Sequence, residues 1–189
     1  MKKTTHNINM TWGTTVLERA MSFPADSLIL DPDAMLYRGV FIEASSAHVY
    51  RWLCQLRVAP YSYDWIDNLG RQSPQRLLSG LENLVIGQDV MGIFRLVDYQ
   101  ENRHLTLRIK PQTVAYKSFG DIAGTYLIAS LKPDACRLIV KLIVRYPPGV
   151  IGLFMKHFLP WGDFIMMRRQ LLNLKRLAED TARSEKADL

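Results

Sequence analysis

Between Val90 and Tyr146 the chain reads as five apolar runs: Val90–Asp98, His104–Lys110, Thr113–Phe119, Ala123–Leu131 and Cys136–Tyr146. Gln100-Glu101-Asn102, Gly120-Asp121 and Lys132-Pro133-Asp134 separate them, and none is long enough to carry a helical crossover. Strands joined so tightly pair antiparallel with their neighbours, which predicts a meander. The last run alternates. Cys136, Leu138, Val140, Leu142, Val144 and Tyr146 share one face, and Arg137, Ile139, Lys141, Ile143 and Arg145 share the other. One side of the sheet is therefore expected to be dry and the other half basic and wet.

A dry sheet face needs a cover. Pro147-Pro148-Gly149 stops the last strand, and Pro160 precedes a helix expected over Trp161–Arg183. Its apolar stripe, Phe164, Met167, Leu171, Leu174 and Ala178, repeats at three- and four-residue steps, so this helix is the natural cover. The block between, Val150–Leu159, is strongly apolar. It reads as a lid over the sheet; the alternative is contact with a bilayer, with Lys156 and His157 at the headgroups.

Upstream, Thr14 or Thr15 caps a short helix over Val16–Met21, and Arg38–Ala44 reads as a strand. Ser45-Ser46 caps a helix through Arg57, with Val49, Trp52, Leu53 and Leu56 on one face. Another short helix is expected over Gln75–Leu84. The organisation expected is an N-terminal arm (1–37), one α+β domain (38–184) and a disordered tail (185–189) in a chain of 189 residues.

The formal net charge of +6 raises the question of a nucleic-acid partner. The surplus is not a tail. Residues 38–155 carry fourteen basic side chains against nine acidic, and no run of five like charges occurs. No nucleic-acid partner is expected, because no recognition motif accompanies the charge. His6, His48, His104 and His157 are scattered and the two cysteines are far apart, so no metal and no cofactor are expected. Phosphate-cradling glycine motifs and the Gly-x-Ser-x-Gly elbow are missing. No stretch approaches a membrane-spanning length, so a cytoplasmic protein without integral membrane association is the expectation.

Several segments bring a family to mind. Trp12-Gly13-Thr14-Thr15 with Glu18, Pro24 and Asp26 forms one. Tyr50-Arg51-Trp52-Leu53-Cys54-Gln55-Leu56 is a second, and Tyr61-Ser62-Tyr63-Asp64-Trp65-Ile66-Asp67-Asn68 is the most specific. Met166-Met167-Arg168-Arg169-Gln170-Leu171-Leu172, with Lys175-Arg176 and Ala178-Glu179, completes the set. Together with the element order they resemble the START-like (SRPBCC) superfamily, in a bacterial branch described as polyketide-cyclase/dehydrase and lipid-transport-like. Ala25 stands where that pattern has Gly, and Ser45-Ser46 where it has Ala-Pro. The resemblance implies a helix-grip fold, a curved antiparallel sheet wrapped around a long C-terminal helix. It also implies a cavity between the two that binds apolar ligands.

Candidate site residues follow from side-chain chemistry. Tyr61, Tyr63 and Trp65 combine ring area with a polar tip and suit a pocket mouth. Arg95 shares parity with Met91, Ile93 and Val97, which makes it the candidate inward cation, with an outward, solvated Arg95 as the alternative, and Tyr116 is placed on another strand. Asp64 and Asp67 are the carboxyls available for acid–base work. The function expected is binding or transport of an apolar or amphipathic small molecule, lipid- or polyketide-like. One alternative is a cyclase, dehydratase or hydrolase acting on a hydrophobic substrate. Another is an interaction module whose basic sheet face, with Arg137, Lys141 and Arg145, docks an acidic protein or a membrane surface.

Overall fold

A computed structural model describes residues 7–67 and 70–187, with the side chains of Ile66 and Asp67 left aside. Six strands form one antiparallel sheet in the order β1-β6-β5-β4-β3-β2. They are β1 (Ala34–Ile42), β2 (Asp89–Val90), β3 (Phe94–Gln100), β4 (His104–Ile109), β5 (Asp121–Lys132) and β6 (Ala135–Arg145). The helices are α1 (Ile8–Thr11), α2 (Val16–Arg19), α3 (Ser46–Cys54), α4 (Asp64–Asp67), α5 (Val114–Phe119) and α6 (Gly149–Ala187). The chain is α+β, and its sheet grips α6.

The inner face of the sheet is built from the alternating residues of each strand. Val40, Ile42, Leu105, Leu107, Tyr126, Leu138 and Val140 meet Met167, Leu171, Leu174 and Leu177 of α6, with Trp52 and Leu53 of α3 in the same core. Irregular pairing at Leu96/Asp98 and at Ser130/Lys132 marks bulges, which strengthen the local bend of the sheet. Ser45 caps α3 by accepting from the His48 amide.

Four expectations are corrected. Thr113–Phe119 is a helix, not a strand. Thr113 accepts from the Tyr116 amide and starts α5. Gly120 then stops it at φ +87, where a Cβ would lie 2.1 Å from the Arg145 carbonyl oxygen. The run Val90–Asp98 is split, because Met91 and Gly92 take positive φ and turn the chain between β2 and β3. No helix forms over Gln75–Leu84. The Gln55 side chain holds this loop through the Leu78 amide and carbonyl, and Arg57 donates to the Leu81 carbonyl at 3.0 Å.

The fourth correction concerns Pro160, which lies inside α6 and does not precede it. The carbonyl its ring deprives of a partner belongs to exposed Lys156, where water can serve it. The Val150–Leu159 block is therefore the first part of α6. Val150, Ile151, Leu153, Phe154 and Phe158 point outward instead of closing over the sheet. The helix continues to Ala187, and residues 188–189 of the expected tail lie outside the described residues.

The outer face of β6 also differs from expectation: residues 12–31 cover it. Phe23 packs with Tyr37, Leu127 and Ile139, while Ala25 and Ile29 pack with Ala123 and Ile143. Each cation expected in solvent meets this arm. Arg137 pairs with Glu18 at 2.7 Å and Lys141 with Asp26 at 2.5 Å, and Arg145 donates to the Leu30 carbonyl. Lys141 is 5% exposed and lies over the rings of Phe23 and Tyr37. The basic face expected to dock an acidic partner is thus occupied by the chain itself. Part of the positive surplus balances arm carboxylates.

The arm crosses β1 where Gly13 faces Gly39, and the Gly39 amide donates to the Trp12 carbonyl at 3.0 Å. A Cβ on Gly39 would stand 2.9 Å from the Gly13 oxygen, from Thr14 Cγ2 and from an Arg137 guanidinium nitrogen. Gly39→Val should therefore lift the arm while leaving the sheet paired. The expected readout is new trypsin cleavage after Arg19 with an unchanged far-ultraviolet spectrum; an uncut arm would contradict it.

The arm should also respond to acid. Burial pushes the Glu18 carboxyl up, but hydrogen bonds from Arg137 and Thr15 together outweigh it and leave its pKa below the ordinary 4.5. A depressed folded-state pKa means this contribution is complete above about 4.5 and is lost as pH falls through the folded value. Hydrogen exchange in residues 12–27 should rise below that pH, and Glu18→Gln should abolish the dependence.

Candidate functional site

The sheet–helix space contains one row of polar groups in an otherwise apolar interior. Arg38 alternates with Leu36, Val40 and Ile42 on β1, so it points inward beneath α6 and is fully buried. Its guanidinium donates to the Tyr37 and Asn9 carbonyls, both at 2.8 Å, and to Asp163 Oδ2 at 2.6 Å. A longer contact of 3.4 Å reaches the Pro160 carbonyl, and the Phe164 ring lies 5.8 Å away. Nε is buried without a partner among the described residues. One side chain thereby ties β1 to α1 and to the middle of α6.

The row continues along α6. Asp163, Met167 and Gln170 follow at helical spacing, which turns all three toward the sheet. Tyr126 lies in the same cross-strand row as Arg38, through Val140. Its hydroxyl donates to Gln170 Oε1 at 2.7 Å and contacts Met167 Sδ at 3.7 Å. The Gln170 amide donates to the Pro60 carbonyl at 2.6 Å.

Electrostatics follow from burial. Asp163 is pushed up to about 6 by burial, against the pull of Arg38. Burial also lowers Arg38 from its ordinary value, with Asp163 opposing. Tyr126 is driven upward by burial and then by Asp163, so its hydroxyl stays neutral and serves as a donor. The row offers a cation, a carboxyl pushed by burial up to about 6, and a neutral amide and phenol. Such a set can orient a polar head inside an apolar space.

The residues singled out in the sequence lie elsewhere. Tyr61 is buried with φ +57, its ring edge-on to Trp52 at 5.9 Å and its carbonyl bound by Asn173. Burial, then Asp64, pushes its phenol to about 12, and the hydroxyl has no partner among the described residues. Tyr63 is half-buried under the Arg169 guanidinium, and Trp65 is 76% exposed. Asp64 accepts from the amide and hydroxyl of Ser73 at 2.8 and 2.5 Å, so it fastens a loop. The Asp67 side chain lies outside the described residues. Cys54 and Cys136 are buried thiols, held protonated by burial.

Arg95 and Tyr116 do come together. They line a cleft of about 300 Å³ with Val97, Arg108, Pro111 and Asp121. Arg95 stands opposite Arg108 and in one row with Ala123 and Ile143, so it lies on the outer face, not in the sheet–helix space. A second cleft of about 610 Å³ opens between α3 and the β3–β4 turn, beside Tyr50, Leu84 and Tyr99. Among the described residues no group of three or more His, Cys, Asp or Glu side chains could hold a metal ion.

Sequence reading passed over Arg38, Asp163, Tyr126 and Gln170 as a set. A signal existed: Arg38 keeps the parity of Val40 and Ile42. Asp163 and Gln170 sit four residues before and three after the stripe residue Met167.

No protein-family model matches the chain, and no curated protein matches it by sequence. Solved structures do resemble it. A hypothetical protein of Helicobacter pylori is similar at 12% identity with a TM-score of 0.55, over 84% of this chain and 96% of that one. The same fold is shown by that likeness. The di-domain ARO/CYC BexL of the BE-7585A biosynthetic pathway is similar at 12% identity and a TM-score of 0.49. It covers 77% of this chain, which spans 46% of BexL. A norcoclaurine synthase of Thalictrum flavum, a point mutant in complex with a transition-state analogue, is similar at 10% identity and a TM-score of 0.43. The coverage there is 78% of this chain and 94% of the synthase.

Stranding one member of the Arg38–Asp163 pair should cost more than removing both. Asp163→Leu leaves a buried guanidinium without its carboxylate, at a cost of about 3–5 kcal/mol. Adding Arg38→Met to it should restore part of that loss in urea unfolding. The pH dependence has a definite sign. Asp163 is raised from an ordinary 3.8 to about 6, so its contribution is complete below 3.8 and declines as pH rises through 6. Asp163→Asn should flatten that part of the stability curve.

Proposed function

We propose that the protein binds an apolar or amphipathic small molecule, lipid- or polyketide-like, between the sheet and α6. The ligand's polar end would meet the Arg38–Asp163–Tyr126–Gln170 row. The observation that carries this reading is Arg38: a fully buried guanidinium whose Nε has no partner among the described residues, set in an apolar interior. A buried donor left unpaired costs about 1–3 kcal/mol, so a ligand oxygen placed there gains what the chain leaves open.

Neither cleft lies between the sheet and α6, where the facing side chains pack on one another, so a ligand must displace some of them. Met91 and Met167 both touch Gln170 or Tyr126. Unbranched thioethers repack at low cost and are the groups to yield first. Buried ligand carbon would supply about 25 cal/mol per Å² before ordering costs. An acid–base reading attaches to the same row, because Asp163 carries a proton that exchanges near pH 6. Under it, Asp163→Asn would keep binding and lose turnover.

The test is native mass spectrometry of protein purified from cells, followed by titration with fatty acids of increasing chain length. A co-purifying mass is expected, with saturable binding that weakens roughly tenfold in Arg38→Met, the factor worth about 1.4 kcal/mol. A bare protein mass with no saturable binding would overturn the reading.

A further inference from the structure

From Val150 to Ile165 α6 carries an apolar face that stays about half or more exposed among the described residues. Val150, Ile151, Phe154, Phe158, Trp161 and Ile165 fall within about 100° of the helix circumference. Each is between 49% and 83% exposed. The rings of Phe154 and Phe158 stack in the open with centroids 3.9 Å apart. Soluble chains rarely leave so continuous a patch uncovered, and one that size marks a contact surface.

Charge indicates what the surface meets. From Gly149 to Ala178 the only acidic residue is Asp163, and it points inward to Arg38. The same stretch carries exposed His157, Arg168 and Arg169 at the edges of that arc, while exposed Lys156 falls on the opposite side of the helix. Arg168 and Arg169 continue the two edges of the apolar arc by helical spacing. They lie over the rings of Trp12 and Tyr63 at 5.7 and 5.9 Å, and form no carboxylate pair among the described residues. An apolar strip with cations beside it and no exposed acid complements an anionic lipid surface. No helix among the described residues is long and apolar enough to cross a membrane, so α6 would lie in the interface plane.

Two other occupants fit less well. Residues 1–6, Met-Lys-Lys-Thr-Thr-His, offer one apolar side chain against six. A second copy across a two-fold axis would bring the same cations together with no acid to meet them.

We propose that the outward face of α6 from Val150 to Ile165 docks the protein on an anionic lipid surface, the apolar strip entering the acyl boundary and the cations meeting the headgroups. This is independent of whether the interior holds a ligand.

Co-sedimentation of the full chain with vesicles tests it. One set is phosphatidylcholine alone, and the other is equal parts phosphatidylcholine and phosphatidylserine. Binding to the second set is expected to exceed binding to the first by roughly tenfold or more and to fade as salt is raised. Phe154→Asp with Phe158→Asp should abolish binding while leaving the unfolding transition in place, since both side chains are exposed. Arg168→Glu with Arg169→Glu should reduce it as strongly. Equal binding to both vesicle sets, or none to either, overturns the proposal. So does a dimer in light scattering that the Phe154→Asp and Phe158→Asp changes dissolve, which would assign the face to a second copy.

Discussion

A guanidinium taken fully out of water must be met by acceptors, and the position of Arg38 sets much of this architecture. It sits on β1, an edge strand, and draws on α1 through Asn9 and on α6 through Pro160 and Asp163. Three elements far apart in sequence share one charge. The arrangement gives orientation more than net stability, because an apolar replacement of similar volume is often as stable as a buried pair. It fixes where along the sheet the middle of α6 rests. The Tyr126–Gln170–Pro60 contacts then hold the next turns.

The opposite side of β1 is equally constrained. Tyr37 and Gly39 face outward, where Tyr37 packs on Phe23 and Gly39 admits the arm backbone. An edge strand is open to pairing with other chains unless something blocks it. Here the arm crosses β1 and runs over β6 and β5, which converts a basic half-wet face into a second, smaller core. Lys141 shows the balance. It is almost wholly buried, yet an aspartate and two aromatic rings receive its charge.

Much of this order was legible from period alone. The strict alternation from Cys136 to Arg145 sorted inner from outer side chains, and the three- and four-residue stripe of Met167, Leu171 and Leu174 identified the covering helix. Local chemistry misled where two patterns overlap. Val-Ala-Tyr-Lys-Ser-Phe carries β-branched and aromatic side chains that suit a strand, and the Thr113 cap and Gly120 make it a helix. The candidate site was hidden for a different reason. Arg38 and Asp163 are 125 residues apart, so neither declares a partner locally, and a lone Arg near a strand start reads as surface. Likewise Arg137 and Glu18 meet across 119 residues, a contact that no window of the sequence contains.

The two halves of α6 now separate physically. From Met167 onward the helix is set into the sheet and α3 by buried leucines. Before Asp163 it has buried contacts at Gly152 and Pro160 and packs Leu159 against Leu36, Ile109, Ile122 and Val144, while its exposed apolar side chains face away from the sheet. Segments with few buried apolar contacts open at the lowest free energy. The Arg38–Asp163 pair stands at the border, so it holds the weaker half down while burial pushes its carboxyl up to about 6. Any surface that binds the outward face of the first half acts on the less firmly held part of α6. By linkage, such a surface can displace that part only by as much as it binds the displaced helix better than the docked one.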